Sequence, residues 1–240
     1  MQCAPKRGNM RKFVVFELPF RGRDEFLPLA GNPCLDVKWV KPQHYRGGAD
    51  VIILPGSGRT MSDLVYLREN GGDRLIREHL SKGGTVIGIC GGYQMLGERL
   101  YDPFLKQGED KELAGFGLLP MQTTFGPKMM QSHTTAHLAL GLCEGDTVKG
   151  VEVRSGYSEA NASAVSKTHL PLLSIVKRDF QEPKPAREAI RPAENLLVDW
   201  KPGDEMLDGL VSSDRKVWGT YLHLIFHNEA FCRTFLATMP

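Results

Sequence analysis

The residues with the clearest chemical potential lie in "TVIGICGGYQMLGERL", positions 85–100. A run of β-formers ends on Cys90, two glycines follow at once, and a helical pattern begins behind them. A strand-to-helix turn of this kind lifts its side chain off the sheet edge, and it is tight enough to demand small neighbours. Gly88, Gly91 and Gly92 supply them. The helix behind the turn would aim its first N–H groups at the sulfur, which favours a thiolate. The Gly91 N–H would face the oxygen of an attacked carbonyl, as one donor of an oxyanion hole. A second donor is available in "LPGSG", residues 54–58, from the Gly56 or Ser57 N–H at the carboxyl end of a neighbouring strand. Taken alone, G-I-C-G-G also fits a buried structural cysteine, or the G-x-nucleophile-x-G elbow of α/β-hydrolases.

The elements that must position these residues follow from periodicity. "KFVVFELP" (12–19), "LDVKWV" (35–40) and "TVIGI" (85–89) read as strands. "ADVIILPG" (49–56) is nearly continuous in apolar residues and is stopped by Pro-Gly, as expected of a central parallel strand. Thr60 or Ser62 is expected to cap a helix through about Glu69, and residues 73–80 continue the helical pattern until Gly83-Gly84. Strand alternating with helix predicts an α/β fold, a doubly wound, mostly parallel sheet flanked by helices. The C-terminal half changes character. "GFGLLPMQTTF", "TTAHLAL", "TVKGVEVRSGY", "PLLSIVKR", "NLLVDW" and "KVWGTYLH" read as extra, shorter strands. Residues 178–195, rich in proline and charge, are expected to form an exposed loop, and residues 228–239 a closing helix capped by Asn228. Residues 1–10 read as a tail and 11–240 as a single domain.

Composition narrows the classes of function. A net charge of +2 offers no strong field for nucleic acid or an anionic membrane. No apolar stretch reaches the roughly 18 residues of a spanning helix, and no apolar core follows the basic N-terminus to make a secretory signal. The five cysteines are odd in number and scattered, without C-x-x-C spacing, which points to a reducing cytoplasm rather than a disulfide framework or thiolate zinc site. His133 and His137, like His223 and His227, are spaced as H-x-x-x-H, but other ligands are lacking and no metal is expected at either pair.

"GICGGYQMLG", with "VIILPGSGRTMSDLVYLREN" before it and "VWGTYLHLIF" after it, resembles the glutaminase domain of cobyric acid synthase, a branch of the class I (triad-type) glutamine amidotransferases. "GFGLLP" (115–120) and "GVEVRSG" (150–156) occupy that family's places too, so the resemblance covers roughly residues 11–236. It implies a flavodoxin-like amidotransferase fold. It makes Cys90 the nucleophile, His223 its base, Gly56 or Ser57 and Gly91 the oxyanion donors, and Gln94 the holder of the α-amino acid end of glutamine. Glutamine would be hydrolysed through a Cys90 thioester, and the ammonia passed to an ATP-dependent amide ligase of cobalamin biosynthesis. This chain carries no G-x-x-x-x-G-K-[ST] loop, so ATP and Mg are expected only on a separate synthetase domain or subunit.

Three positions depart from the pattern. Many class I relatives carry Glu two residues after the histidine, where this chain has Ile225. The working unit is then a Cys–His dyad, or a triad completed from elsewhere, with Glu229 and Asp214 as candidates. Leu224 stands where the branch has glycine, and Arg154 where it has a histidine bordering the glutamine pocket. Arg154 is therefore also a candidate substrate-binding residue. An imidazole without its acid and a glycine-rich oxyanion loop together suggest that the lone chain is slow, and that its synthetase stimulates it at least tenfold. The alternatives are a standalone glutaminase of another amidoligase, such as lipid II isoglutaminyl synthase, a cysteine-dependent esterase, and a non-catalytic amidotransferase-like binding module.

Overall fold

In a computed structural model of the chain, the described residues are 10–21, 24–138, 147–161, 169–180 and 206–238. The expected tail, most of the loop after 180 and the "NLLVDW" stretch lie outside them. All twelve strands belong to one sheet. Its first half is parallel, in the order β11-β4-β3-β1-β2, where β1 is Arg11–Phe16, β2 Leu35–Val40, β3 Val51–Leu54, β4 Thr85–Ile89 and β11 Val217–Thr220. β3 and β4 are buried along their whole length, which is why they read as unbroken apolar runs: helices cover both faces of a parallel sheet.

The second half is antiparallel. β10 (Met206–Ser212) joins β11 to β9 (His169–Phe180), then come β7 (Met121–Leu138), β8 (Thr147–Ala160) and the two-residue β12 (Leu222–His223). Off this path β5 (Arg99–Tyr101) pairs with β7 in parallel, the exception in this half, and β6 (Glu112–Ala114) pairs antiparallel with β5. "MQTTF" and "TTAHL", expected as two strands, are one strand, β7, that runs through a bulge. Phe125 pairs with Gly156 and Met130 with Arg154, so four residues of β7, 126–129, face Ser155 alone. "GFGLLP" is a loop before β7 rather than part of it.

α1 (Leu27–Ala30) follows β1. α2 (Thr60–Glu69) and α3 (Gly72–Ser81) lie between β3 and β4, α4 (Gly91–Leu96) follows β4, and α5 (Glu229–Thr238) closes the described chain. Asn70-Gly71 separates α2 from α3, with Gly71 at a φ of 83°. Neither Thr60 nor Ser62 caps α2. The Thr60 N–H donates to the Gln107 side-chain oxygen at 2.9 Å and the Ser62 N–H to the Gln107 carbonyl at 2.9 Å. A distant loop thus satisfies the donors that a local cap would have taken. Asn228 is likewise not a simple cap: its carboxamide accepts from the Lys149 N–H and donates to the Lys149, Leu224 and Ile225 carbonyls, tying the end of the chain to β8. Beneath α5, Trp218, Phe226, Phe231 and Phe235 pack ring against ring with centroids 5.5–6.2 Å apart. Phe26, from the turn before α1, joins them at 6.0 Å from Phe226.

Candidate active site

Cys90 occupies the turn between β4 and α4 with φ 49° and ψ −106°. A non-glycine residue in this region is strained, and the fold must hold it there. It does so through two backbone hydrogen bonds. The Cys90 N–H donates to the Thr220 carbonyl at 2.8 Å, and the Gln94 N–H donates to the Cys90 carbonyl at 3.0 Å. The thiol is 6% exposed and donates to the Val153 carbonyl at 3.2 Å. β4 lies between β3 and β11, so the segments leaving all three strands meet around the sulfur.

After β3, the loop 55–59 lies against this turn. A methyl group on Gly91 would come within 2.8 Å of the Ser57 nitrogen, and one on Gly56 within 2.7 Å of His223 Cε1. Only glycines permit these approaches. Among the described residues neither the Ser57 nor the Gly91 N–H donates a hydrogen bond, so two donors converge unpaired beside Cys90. The loop is not loose. The Ser57 hydroxyl donates to Asp63 at 2.6 Å, the Phe20 N–H donates to the same carboxylate, and the Gly58 N–H donates to the Phe20 carbonyl at 3.0 Å. Burial pushes the Asp63 carboxyl above its ordinary range, against the pull of these donors.

His223 ends β12, still paired with Val151 of β8, and faces Cys90. Its Nδ1 lies 3.2 Å from a carboxylate oxygen of Glu25. Burial lowers the pKa of this imidazole, but its contacts with Cys90 and Glu25 outweigh that and push it up to about 11. The acid expected from Glu229 or Asp214 is supplied by neither. Asp214 accepts from the Ser212 hydroxyl and the Lys216 N–H in the β10–β11 turn, and Glu229 begins α5. Glu25 sits about two hundred residues before the histidine in sequence, so no local motif reveals it. The buried Phe26 beside it is the one hint that its segment folds inward.

The pocket wall comes from the antiparallel half. A cavity of about 430 Å³ is lined by Gly56, Ser57, Cys90, His223, Glu25 and Gln94, and by Val153, Arg154 and Ser155 of β8. Gln94 is 2% exposed, and its carboxamide accepts from Thr60 Oγ1 at 3.0 Å and donates to the Tyr221 hydroxyl at 3.1 Å. One N–H and one lone pair remain for a ligand. The Arg154 guanidinium lies 4.4 Å from the centre of the Tyr221 ring, a cation–π contact. Burial works against its charge, but Glu152, Tyr221 and Asp208 more than compensate, so its pKa is raised. Among the described residues Arg154 makes no ion pair. Glu152 is fully buried and forms a two-pronged ion pair with Arg178 of β9, at 2.6 and 2.8 Å. Of the sequence-predicted site residues, Cys90, His223, Gly56, Ser57, Gln94 and Arg154 line this one cavity and Gly91 backs it through Ser57, whereas Glu229 and Asp214 are not among its lining.

The sequence pattern of the CobB/CobQ-like glutamine amidotransferase domain matches residues 11–231. The chain belongs to this family. It is 36% identical over 228 residues to a cobyric acid synthase of Syntrophobacter fumaroxidans, covering 93% of this chain and 39% of the relative. To that of Chloroflexus aurantiacus it is 34% identical over 234 residues, covering 97% and 42%. The chain thus spans about two fifths of the curated relatives it matches. Its fold is shared with PurLQS from Thermotoga maritima, at a TM-score of 0.64 and 15% identity, with 96% of this chain and 100% of that chain covered. A crystal structure of a glutamine amidotransferase superposes with a TM-score of 0.59 at 16% identity, covering 93% and 97%. The described residues include no helix long and apolar enough to cross a membrane.

Proposed function

We propose that this chain is a glutaminase that feeds ammonia to an ATP-dependent amide ligase, and that the acceptor is a corrinoid carboxylate, as the names of its cobyric acid synthase relatives suggest. The observation that carries the reading is the convergence of a strained cysteine and a histidine in one cavity, with the unpaired Ser57 and Gly91 N–H groups beside the cysteine. The Cys90 thiol gives its proton to His223, and the sulfur attacks the carboxamide carbon of glutamine. The oxyanion that forms is met by the Ser57 and Gly91 N–H groups, a preorganised pair whose misplacement costs roughly 10²–10³ in kcat. His223 passes its proton to the departing nitrogen, ammonia leaves, and a γ-glutamyl thioester remains on Cys90. Water then attacks the thioester as His223 takes its proton, and glutamate and the thiol are regenerated. Gln94 and Arg154 hold the α-amino acid end, with the unpaired guanidinium set for the α-carboxylate. ATP and Mg belong to the synthetase. The odd number of scattered cysteines, without C-x-x-C spacing, supports a reducing, cytoplasmic setting.

The test is glutamate and ammonia formed from glutamine by the purified chain, alone and with an ATP-dependent corrinoid synthetase. Glutamate formed in either condition supports the reading. Turnover of an ester panel with no glutamate in either condition would replace it with the esterase.

A further inference from the structure

We infer that Glu25, from the segment between β1 and α1, is the acid that positions His223, taking over in space the role that the glutamate two residues after the histidine plays in many class I enzymes. This rests on the glutaminase reading of Cys90 and His223. Two hydrogen bonds define the arrangement. One carboxylate oxygen lies 3.2 Å from His223 Nδ1, and the other accepts the Leu224 N–H at 3.2 Å. The carboxylate is only 11% exposed, so both contacts are made largely out of water. Holding the proton on Nδ1 leaves Nε2 as the ring nitrogen for chemistry. Bridging the ring to the next backbone N–H fixes the direction in which the imidazole points.

The fold explains how so distant a residue arrives there. Phe26 is fully buried and meets Phe226, which follows His223 by three residues, at 6.0 Å. Burying such a side chain is worth roughly 2 kcal/mol, and it draws the neighbouring Glu25 onto the histidine. The same arrangement accounts for Leu224. Its φ of 63° is a left-handed conformation that favours glycine, and leucine holds it with its N–H anchored on Glu25. The titratable groups facing His223 are Cys90 from the β4–α4 turn and Glu25; the loop after β3 presents the backbone of Gly56, and β8 pairs through Val151. Removal of Glu25 therefore leaves Cys90 as the one titratable group facing the imidazole among the described residues.

The experiment compares the wild type with Glu25→Gln and Glu25→Asp, each with its synthetase. Glu25→Gln keeps an oxygen for the Leu224 N–H and loses the charge. Its kcat should fall at least about tenfold with KM for glutamine little changed, and its kcat/KM should turn down at high pH about one unit or more earlier than in the wild type. Glu25→Asp should recover part of kcat. Iodoacetamide labelling of Cys90 across pH reads the same coupling without glutamine: a weaker imidazolium should slow labelling near neutral pH. Unchanged kcat, pH limb and labelling profile in a Glu25→Gln protein with wild-type Tm would overturn the assignment. If the wild type forms no glutamate while Glu25→Gln still slows labelling, the glutaminase reading fails and the positioning role stands.

Discussion

The two halves of the sheet divide the labour of the site. The parallel half, β11-β4-β3-β1-β2, ends its strands at the cysteine, the oxyanion loop and the segment leading to the histidine. The antiparallel half supplies the wall that a substrate would read: Val153, Arg154 and Ser155 on β8, opposite the bulge at 126–129. The central strands of the first half, β3 and β4, are buried throughout and held by apolar packing. The second buries charge, with Glu152 paired to Arg178 and Asp208 accepting from Thr220 and Tyr221. Burial raises the Asp208 pKa, and the nearby Glu152 adds to it. On the proposed reading, chemistry sits on the parallel half and discrimination on the antiparallel half.

The sharpest way to break this division is at the sulfur. Cys90→Ser should cut glutamate formation by roughly 10⁴-fold or more and leave the Tm near that of the wild type. Alkylation near neutral pH should label Cys90 before Cys34 or Cys232; equal labelling with full activity retained would end the nucleophile assignment.

The next effect belongs to the other half and should appear as stability. Arg178→Met leaves Glu152 buried without its partner, a loss of about 3–5 kcal/mol in denaturant unfolding. Adding Glu152→Met should restore most of it. A Tm unchanged in the single variant would show that the pair is not what holds β8 against β9.

Gln94→Ala should raise KM for glutamine by an amount equivalent to ~1.5–3 kcal/mol, one lost charged hydrogen bond. Arg154→His should raise KM by about threefold to tenfold with the Tm unchanged, because an imidazole cannot repeat the guanidinium's forked contact. No kinetic change in either would move the α-amino acid end of the substrate elsewhere in the cavity.

How much of this was legible in the sequence follows the same division. Gly88, Cys90, Gly91 and Gly92 at the end of a β-run, and Pro55-Gly56 after another, are local signals, because a tight turn at a sheet edge dictates residue types within five positions. Those residues are found together. The strand pattern of the second half was readable only in outline, since a bulge such as 126–129 is a matter of pairing register and leaves no period in one strand. Glu25, Gln107 as the distant cap of α2, and the Glu152–Arg178 pair were invisible for a plainer reason: each is a contact between segments 26 to 198 residues apart.

The same distant contacts bear on the expectation of partner dependence. It rested on an unoriented histidine and a loose oxyanion loop. Glu25 orients the first, and Asp63 with Phe20 ties the second. The smallest effect is therefore expected here: adding synthetase, ATP and acceptor should change the lone chain's rate of glutamate formation by less than tenfold, about 1.4 kcal/mol of barrier. A larger stimulation would mean that docking reorders β8 or the cavity mouth.

Leu224 ties two distant positions together. A branched side chain in a left-handed turn costs on the order of 1 kcal/mol, and here the backbone N–H it turns inward is received by Glu25. Glycine at 224 would bear no such cost and would lean less on the carboxylate. The tolerance of position 25 to substitution therefore depends on which residue stands at 224.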